Sequence, residues 1–462
     1  MSASASDSRV YLVLAGALAA LSACSSSDKA SPGSGGVAAT SGSGGAAGSS
    51  ADTGGTAGSS AGTSDGTAGA SPNGGSAGQV STEPSTDYAA DDPNILYSGR
   101  IDFSNAKSPE FASPAITIRA NFHGDSLAIK VRDSHESGNP NYFDVIVDDQ
   151  PAVKIMPTLV LTSYPVPIQL ADADHTVTVT KRTEASVGFA NFQGFTFGGH
   201  ILPPPAAPTH KMEIIGDSIT AGAGMEAVNG SAQCNDTYGE AYQNGYLSYG
   251  AVAARALNAE YHVTGVSGIG LVQNYSQSYD ARPMPQVYDL LNVEQNGPLG
   301  DPSHTADQLG SAKISPLWDT TKFVPDAVVI GLGTNDFSPG DGVAPSKPAI
   351  PARMKLAPAD YAVAYEAFIT QLRTYYPDAD YFCLSSPILG DGYPTAADTY
   401  ATDLKTALAD MAAYYAGKSD MKVHTVIIDK VAGNGCGGHP DVAQQAAAAA
   451  QVQAAISAAL GW

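Results

Sequence analysis

"KMEIIGDS", Lys211 to Ser218, decides how the larger part of this chain is read. It is a short apolar run that ends in a Gly-Asp-Ser turn, with Ile219-Thr220 opening the next segment at once. Such a run reads as a buried strand that delivers a serine hydroxyl to a strand-to-helix turn. A free serine hydroxyl is a poor nucleophile and needs a base within hydrogen-bond reach. Alone the turn says little, because serine at a strand end is more often a helix cap. The chain on either side has to decide.

Downstream, strands alternate with helices. "PDAVVIGLGTND" and "ADYFCLSSP" are continuous apolar strands of the buried parallel type, and "KVHTVIID" is the last strand. "YLSYGAVAARALN", "ADYAVAYEAFITQLRTYYP", "ATDLKTALADMAAYYAG" and "DVAQQAAAAAQVQAAISAAL" read as helices, the second stopped by Pro377. The alternation predicts an α/β three-layer domain over residues 206–462. In such sheets ligands sit at the carboxyl ends of the strands. Ser218, Gly268 in "GVSGIG", Asn335 in "GTND" and His439 in "HPD" all fall there, and are expected on four consecutive strand ends.

Upstream the pattern changes. "SLAIKVRD" puts Leu127, Ile129 and Val131 on one face, and "HTVTVTKR" does the same with Val177 and Val179. "YFDVIVDDQPAVKI" reads as two strands joined at Asp148-Asp149-Gln150. Short strands with turn residues between them predict a β-sandwich over 93–205. The proline-rich "ILPPPAAP", Ile201 to Pro208, is a stiff connector between the two domains.

The N-terminal 92 residues are of another kind. "VYLVLAGALAALSAC" is too short for a comfortable membrane span and has the length of a signal-peptide core. Leu21-Ser22-Ala23-Cys24 resembles a bacterial lipoprotein lipobox, which implies cleavage before Cys24 and lipid on its sulfur. Residues 25–92 are expected to be a disordered tether: no aromatic residue occurs between Tyr11 and Tyr88, and no Lys or Arg between Lys29 and Arg100. The expectation is an exported envelope lipoprotein that meets the membrane only through this anchor. Ser25 offers no acidic retention signal, which points to the outer membrane or cell surface.

Charge narrows the partners. The chain carries 23 Lys and Arg against 45 Asp and Glu, a net charge of −22. That argues against a nucleic-acid binder, which would show a basic stripe, and suits an uncharged partner such as polysaccharide. The histidines are scattered without metal-ligand spacing, so neither a metal nor another cofactor is expected. A monomer is expected.

Ser218 as nucleophile and His439 as base, with the N–H groups of Ser218 and Gly268 and the Asn335 amide as oxyanion donors, make one coherent acyl-transfer set. The ordered blocks Gly216-Asp217-Ser218, Gly268, Gly333-Thr334-Asn335-Asp336 and His439 resemble the SGNH, or GDSL-type, hydrolase superfamily. With "NGYLSYGAVAARAL", "SGIGLVQNY" and the upstream "TKRTEASVGFANFQGF", the chain resembles carbohydrate esterase family 2. The resemblance implies an N-terminal jelly-roll β-sandwich fused to an α/β/α SGNH domain. It also implies deacetylation of plant-type polysaccharides such as acetylxylan or acetylated glucomannan. An SGNH lipase or thioesterase, or a non-catalytic glycan-binding lipoprotein, are the alternative readings.

The histidine loop departs from these relatives. Many members of the superfamily carry an aspartate three residues before the histidine; that position is Cys436. The esterase family often has Asp-Trp directly before it; here stand Gly437 and Gly438. A serine–histidine pair can still work when a backbone carbonyl fixes the imidazole tautomer, and dyad members of the family exist. Asp429 and Asp441 are candidate orienting groups, Asp441 being also placed to cap the last helix. With Cys24 assigned to lipid and Cys383 within an apolar strand, Cys234 and Cys436 are expected to form a disulfide. Asn274 and Tyr275, just after the oxyanion glycine, are the candidates for sugar contact.

Overall fold

The computed structural model describes residues 83–135, 139–148, 150–235, 239–276, 282–293, 315–342 and 352–462. The expected signal peptide, Cys24 and nearly all of the expected tether lie outside the described residues.

The first domain is built from nine antiparallel strands: β1 (Ser85–Ala89), β2 (Leu96–Ser98), β3 (Glu110–Phe111), β4 (Thr117–His135), β5 (Phe143–Val147), β6 (Val153–Ile155), β7 (Thr162–Pro165), β8 (Ala173–Lys181) and β9 (Gly188–Ile201). β4 is its spine. Its first half pairs with β2 and β8, its second half with β7 and β9. Register shifts after Gly124 and after Lys130 let one strand serve both layers. The alternation read from the sequence sets the inward face: Leu127, Ile129, Val131, Val177 and Val179 are buried. They meet Phe122, Phe192, Phe195 and Phe197 in a single core.

One boundary differs from the expectation. The sandwich begins at Ser85, inside the segment read as tether to residue 92, because β1 pairs along β9 from Ser85–Gly198 to Ala89–Gly194. "STDYA" is too polar to announce a strand. As an edge strand it needs only ladder hydrogen bonds and one inward ring, Tyr88, whose centroid lies 5.7 Å from that of Phe197.

The second domain has five parallel strands in the order β11-β10-β12-β13-β14. These are β10 (His210–Gly216), β11 (Ala259–Gly265), β12 (Ala327–Gly331), β13 (Asp380–Leu384) and β14 (Val423–Val426). Neighbouring residues of each strand face opposite layers. Ile214, Val329 and Phe382 pack with α2 (Tyr249–Ala256) and α7 (Val442–Leu460) on one side. Ile215, Val328, Ile330, Tyr381 and Cys383 pack with α5 (Pro358–Arg373) and α6 (Tyr400–Gly417) on the other. This is the three-layer α/β/α order that the apolar strands require, since both faces must be covered. Cys383 is fully buried, and that burial pushes its thiol up to about 12.

The two domains share buried polar contacts. Arg100, between β2 and β3, is 1% exposed, pairs with Glu213 of β10 at 3.0 Å, and donates to the carbonyls of Tyr288 and Leu290 at 2.6 and 2.8 Å. Ser98 Oγ donates to the Tyr261 carbonyl at 2.8 Å.

Candidate active site

Ser218 opens the single turn α1 (Ser218–Ala221) directly after β10. Asp217 caps that turn, its carboxylate accepting the Ile219 N–H at 2.9 Å. The Ser218 N–H stands in the first turn of the helix and has no intrahelical acceptor. Helix α7 holds the turn from behind: buried Gln445 donates to the Ile219 carbonyl at 2.9 Å and accepts the Tyr249 N–H at 2.9 Å. The Asp217 carboxyl is fully buried, and desolvation, reinforced by neighbouring Asp336, pushes it up to about 7.

His439 Nε2 lies 2.8 Å from Ser218 Oγ, and His439 Nδ1 lies 2.8 Å from the Cys436 carbonyl oxygen. A carbonyl can only accept, so Nδ1 carries the hydrogen and Nε2 presents its lone pair to the serine hydroxyl. The orienting group is therefore main chain. Neither candidate carboxylate takes that place. Asp441 is the N-cap of α7 and forms a capping box with Gln444. Asp429 lies beyond β14, exposed, with its N–H donating to Gln451 Oε1 at 3.1 Å.

The carbonyl can reach the imidazole because the loop folds tightly. The His439 N–H also donates to the Cys436 carbonyl, at 3.2 Å, and Gly435 N–H donates to the His439 carbonyl at 2.7 Å. Gly437 and Gly438 have φ of +65° and +76°, a region where a side chain is strained. The main chain of the loop therefore favours glycine at both positions. The disulfide joins Cys234 to Cys436, bridging 202 residues. Cys436 N–H donates to the Gly224 carbonyl at 3.0 Å, and Asn229 N–H to the Asn434 carbonyl at 2.7 Å. The histidine loop is thus stitched to the loop that follows the nucleophile.

Three chain segments meet at the Asn335 amide, in the turn α4 (Thr334–Phe337). Its nitrogen donates to the Ile269 carbonyl at 2.8 Å and lies 3.5 Å from the Asp217 carboxylate. The first contact anchors one N–H; the second is too long to hold the other strongly. Gly268, next to Ile269, takes a φ of +77°, and its N–H has no acceptor among the described residues. Ser218, Gly268, Asn335 and His439 are therefore assembled at one end of the sheet. The expectation of four consecutive strands needs correction: β13 lies between β12 and β14 and carries none of the four. β13 is followed by Ser385 and Ser386, whose hydroxyls bond to main-chain N–H groups and to Thr334 instead.

Several supporting residues carry no sequence signal. Asp336, fully buried, accepts the successive N–H groups of Leu271, Val272 and Gln273 at 2.9, 2.7 and 3.0 Å. Desolvation raises its carboxyl above the ordinary range, and the three amides oppose that shift. Arg353 donates to the Asn335 and Ser338 carbonyls at 2.7 Å each and also to the Asn274 carbonyl. Asn274, expected to touch sugar, is fully buried. Its amide spans the loop from Gly270 N–H at 2.9 Å to the Arg282 carbonyl at 3.1 Å, which leaves it no face for a ligand. Tyr275 is different: it is 42% exposed, and its N–H donates to the Gly268 carbonyl at 2.8 Å. No group of three or more metal-ligating side chains occurs among the described residues.

Both domains match known protein families. Residues 97–205 match the carbohydrate esterase 2 N-terminal model, and residues 214–459 match the GDSL-like lipase/acylhydrolase family. The chain is 32% identical over 376 residues to cellulase/esterase CelE of Acetivibrio thermocellus, aligning 80% of this chain but only 40% of that protein. It is 31% identical over 309 residues to an acetylxylan esterase / glucomannan deacetylase of Cellvibrio japonicus, aligning 65% of this chain and 76% of that protein. A family two carbohydrate esterase from Clostridium thermocellum, solved with cellohexaose, superposes with a TM-score of 0.63. It shares 30% identity over 80% of this chain and 99% of its own. The chain is a GDSL-type acylhydrolase and belongs to carbohydrate esterase family 2.

Proposed function

We propose that this protein is an esterase that removes O-acetyl groups from plant-type polysaccharides, acetylxylan or acetylated glucomannan, through an acetyl-enzyme. The observation that carries the reading is the relay Ser218 Oγ–His439 Nε2–Nδ1–Cys436 carbonyl, both hydrogen bonds at 2.8 Å. His439 takes the Ser218 proton as the oxygen attacks the acetyl carbonyl. The oxyanion is held by the N–H groups of Ser218 and Gly268 and by the Asn335 amide N–H that only the long Asp217 contact engages. His439 then protonates the leaving sugar oxygen. Water, deprotonated by His439, releases acetate from Ser218. No step needs a redox change: the Ser218 proton leaves with the sugar hydroxyl, and the proton taken from water passes through His439 back to Ser218 Oγ as the acyl–oxygen bond breaks.

The names of the Cellvibrio relative and of CelE support the substrate class. Exposed Tyr275 supplies a ring for a sugar face. The lipobox-like Leu21–Cys24 supports export and anchoring at the cell surface through lipid on Cys24. Labelled palmitate that enters the wild type and not Cys24→Ser is the expected result for that part. For the activity, acetate release from acetylated xylan and glucomannan is compared with hydrolysis of long-chain acyl esters. Faster turnover of the long acyl chains would reject the polysaccharide reading.

A further inference from the structure

The segment Lys181 to Glu184 takes in the last residue of β8 and the turn after it; all four residues are at most 4% exposed, and Arg182 and Glu184 reach the second domain. Lys181 Nζ donates to the Thr183 carbonyl, the Thr183 hydroxyl and the Glu184 carbonyl at 2.7, 3.0 and 3.1 Å, which fixes the turn. Arg182 grips Asp144 within the sandwich at 2.8 and 2.7 Å. Across the border it grips Glu226, in the loop that follows Ser218. Asn244 closes this side, donating to Asp144 at 3.1 Å and to Glu226 at 2.8 Å. Its N–H bonds the Gly222 carbonyl, one residue beyond α1, at 2.9 Å.

Glu184 reaches the other side. Its N–H donates to Gln243 Oε1 at 3.0 Å, and its carboxylate accepts the Ser267 N–H at 2.6 Å. Ser267 immediately precedes Gly268, whose N–H is one of the oxyanion donors. The peptide plane that carries the Gly268 N–H therefore begins at a residue pinned by the sandwich. A buried carboxylate that accepts an amide N–H is held firmly and holds firmly in return.

We propose that Glu184 is a positioning residue for acyl transfer: the sandwich domain sets the direction of the Gly268 N–H through Ser267. This rests on the serine-esterase reading and gives the sandwich a part in turnover itself. Oxyanion donors act only when aimed at the place where charge develops, and misplacing one lowers kcat and leaves substrate binding little changed.

Two conservative variants of the full chain, Glu184→Gln and Glu184→Asp, test it with a short acyl ester and with acetylated glucomannan. Glutamine keeps the length and an accepting oxygen, so kcat should stay within about threefold of wild type. Aspartate keeps the charge and falls short by one methylene, so kcat should drop about tenfold or more, a fraction of the 10²–10³ lost when a donor is removed. KM should move less than about twofold for both, as expected when an interaction made only in the transition state is lost. Aspartate matching wild type, or glutamine losing as much as aspartate, would overturn the proposal. A loss carried by KM would overturn it too. Ser218→Ala, assayed alongside, separates the two levels. If it is inactive while both Glu184 variants match wild type, only the positioning role falls; if it matches wild type, the esterase reading falls as well.

Discussion

His439 needs no carboxylate because its tautomer is already set by the Cys436 carbonyl at 2.8 Å. A carbonyl orients the ring but supplies less stabilisation to the imidazolium than an ionised acid. The geometry of the loop therefore matters more. Gly437 is its most sensitive point: φ is +65°, and a Cβ there would stand 3.3 Å from His439 Nδ1. Gly437→Ala should cost about 1–2 kcal/mol of strain in the left-handed region and press on the imidazole edge. We expect kcat to fall about tenfold or more for an aligned acyl transfer disturbed in this way. Gly438→Ala, with open space around its Cβ, should carry the strain and spare most of the turnover. Steady-state kinetics on a short acyl ester, with thermal melts of both variants, checks this. Equal loss of kcat in the two would contradict it.

At the level of elements, the nucleophile turn, the oxyanion loop and the histidine loop are each tied down by a residue from somewhere else in the chain. The disulfide does this for the histidine loop. Cys234→Ser with Cys436→Ser removes a cross-link over 202 residues and should cost about 2–4 kcal/mol. Because Cys436 also supplies the carbonyl that orients His439, kcat should fall further than stability alone explains, even well below the melting temperature. Urea titrations together with kinetics at low temperature read the two effects apart. A stability loss with unchanged kcat would show that the main-chain hydrogen bonds hold the loop unaided.

Ser218, Gly268, Asn335 and His439 are legible in the sequence because each sits in a short glycine-bearing block where an apolar strand ends or a helix begins. The strands and helices with undisturbed apolar periodicity are legible; β1, with its polar "STDYA", is not. What holds the site is not legible. The three amides that Asp336 gathers lie 63 to 65 residues upstream, and Arg353 reaches back 79 residues to Asn274. The role of Asn274 is misread for the same reason: an amide beside a candidate site looks available until its loop closes around it. The orienting carbonyl belongs to no residue type at all, so only the fold of the loop reveals it.

Over the whole molecule, the sandwich and the α/β domain are joined by ion pairs that neither could bury alone. Arg100 and Glu213 are 1% and 0% exposed. Removing the cation leaves Glu213 charged in the core, and breaking such a pair costs about 3–5 kcal/mol. Arg100→Met should therefore destabilise the protein by that order. It should do so in one step, with near-UV and far-UV signals moving together in urea. Arg100→Met combined with Glu213→Gln should recover part of the loss, because the stranded charge is gone. Two separate transitions in the wild type would contradict a shared interior.

In the proposed mechanism a serine and a histidine, with no acid, cleave acetyl esters of polysaccharide. Acetate release from acetylated glucomannan tests it in one assay of three proteins: wild type, Ser218→Ala, and the double variant Asp429→Asn with Asp441→Asn. Asparagine caps a helix about as well as aspartate, so α7 should keep its start. Ser218→Ala is predicted to lose about 10³-fold or more, while the double variant stays within about threefold of wild type. Loss in the double variant matching that of Ser218→Ala, or release by Ser218→Ala at the wild-type rate, would contradict the account.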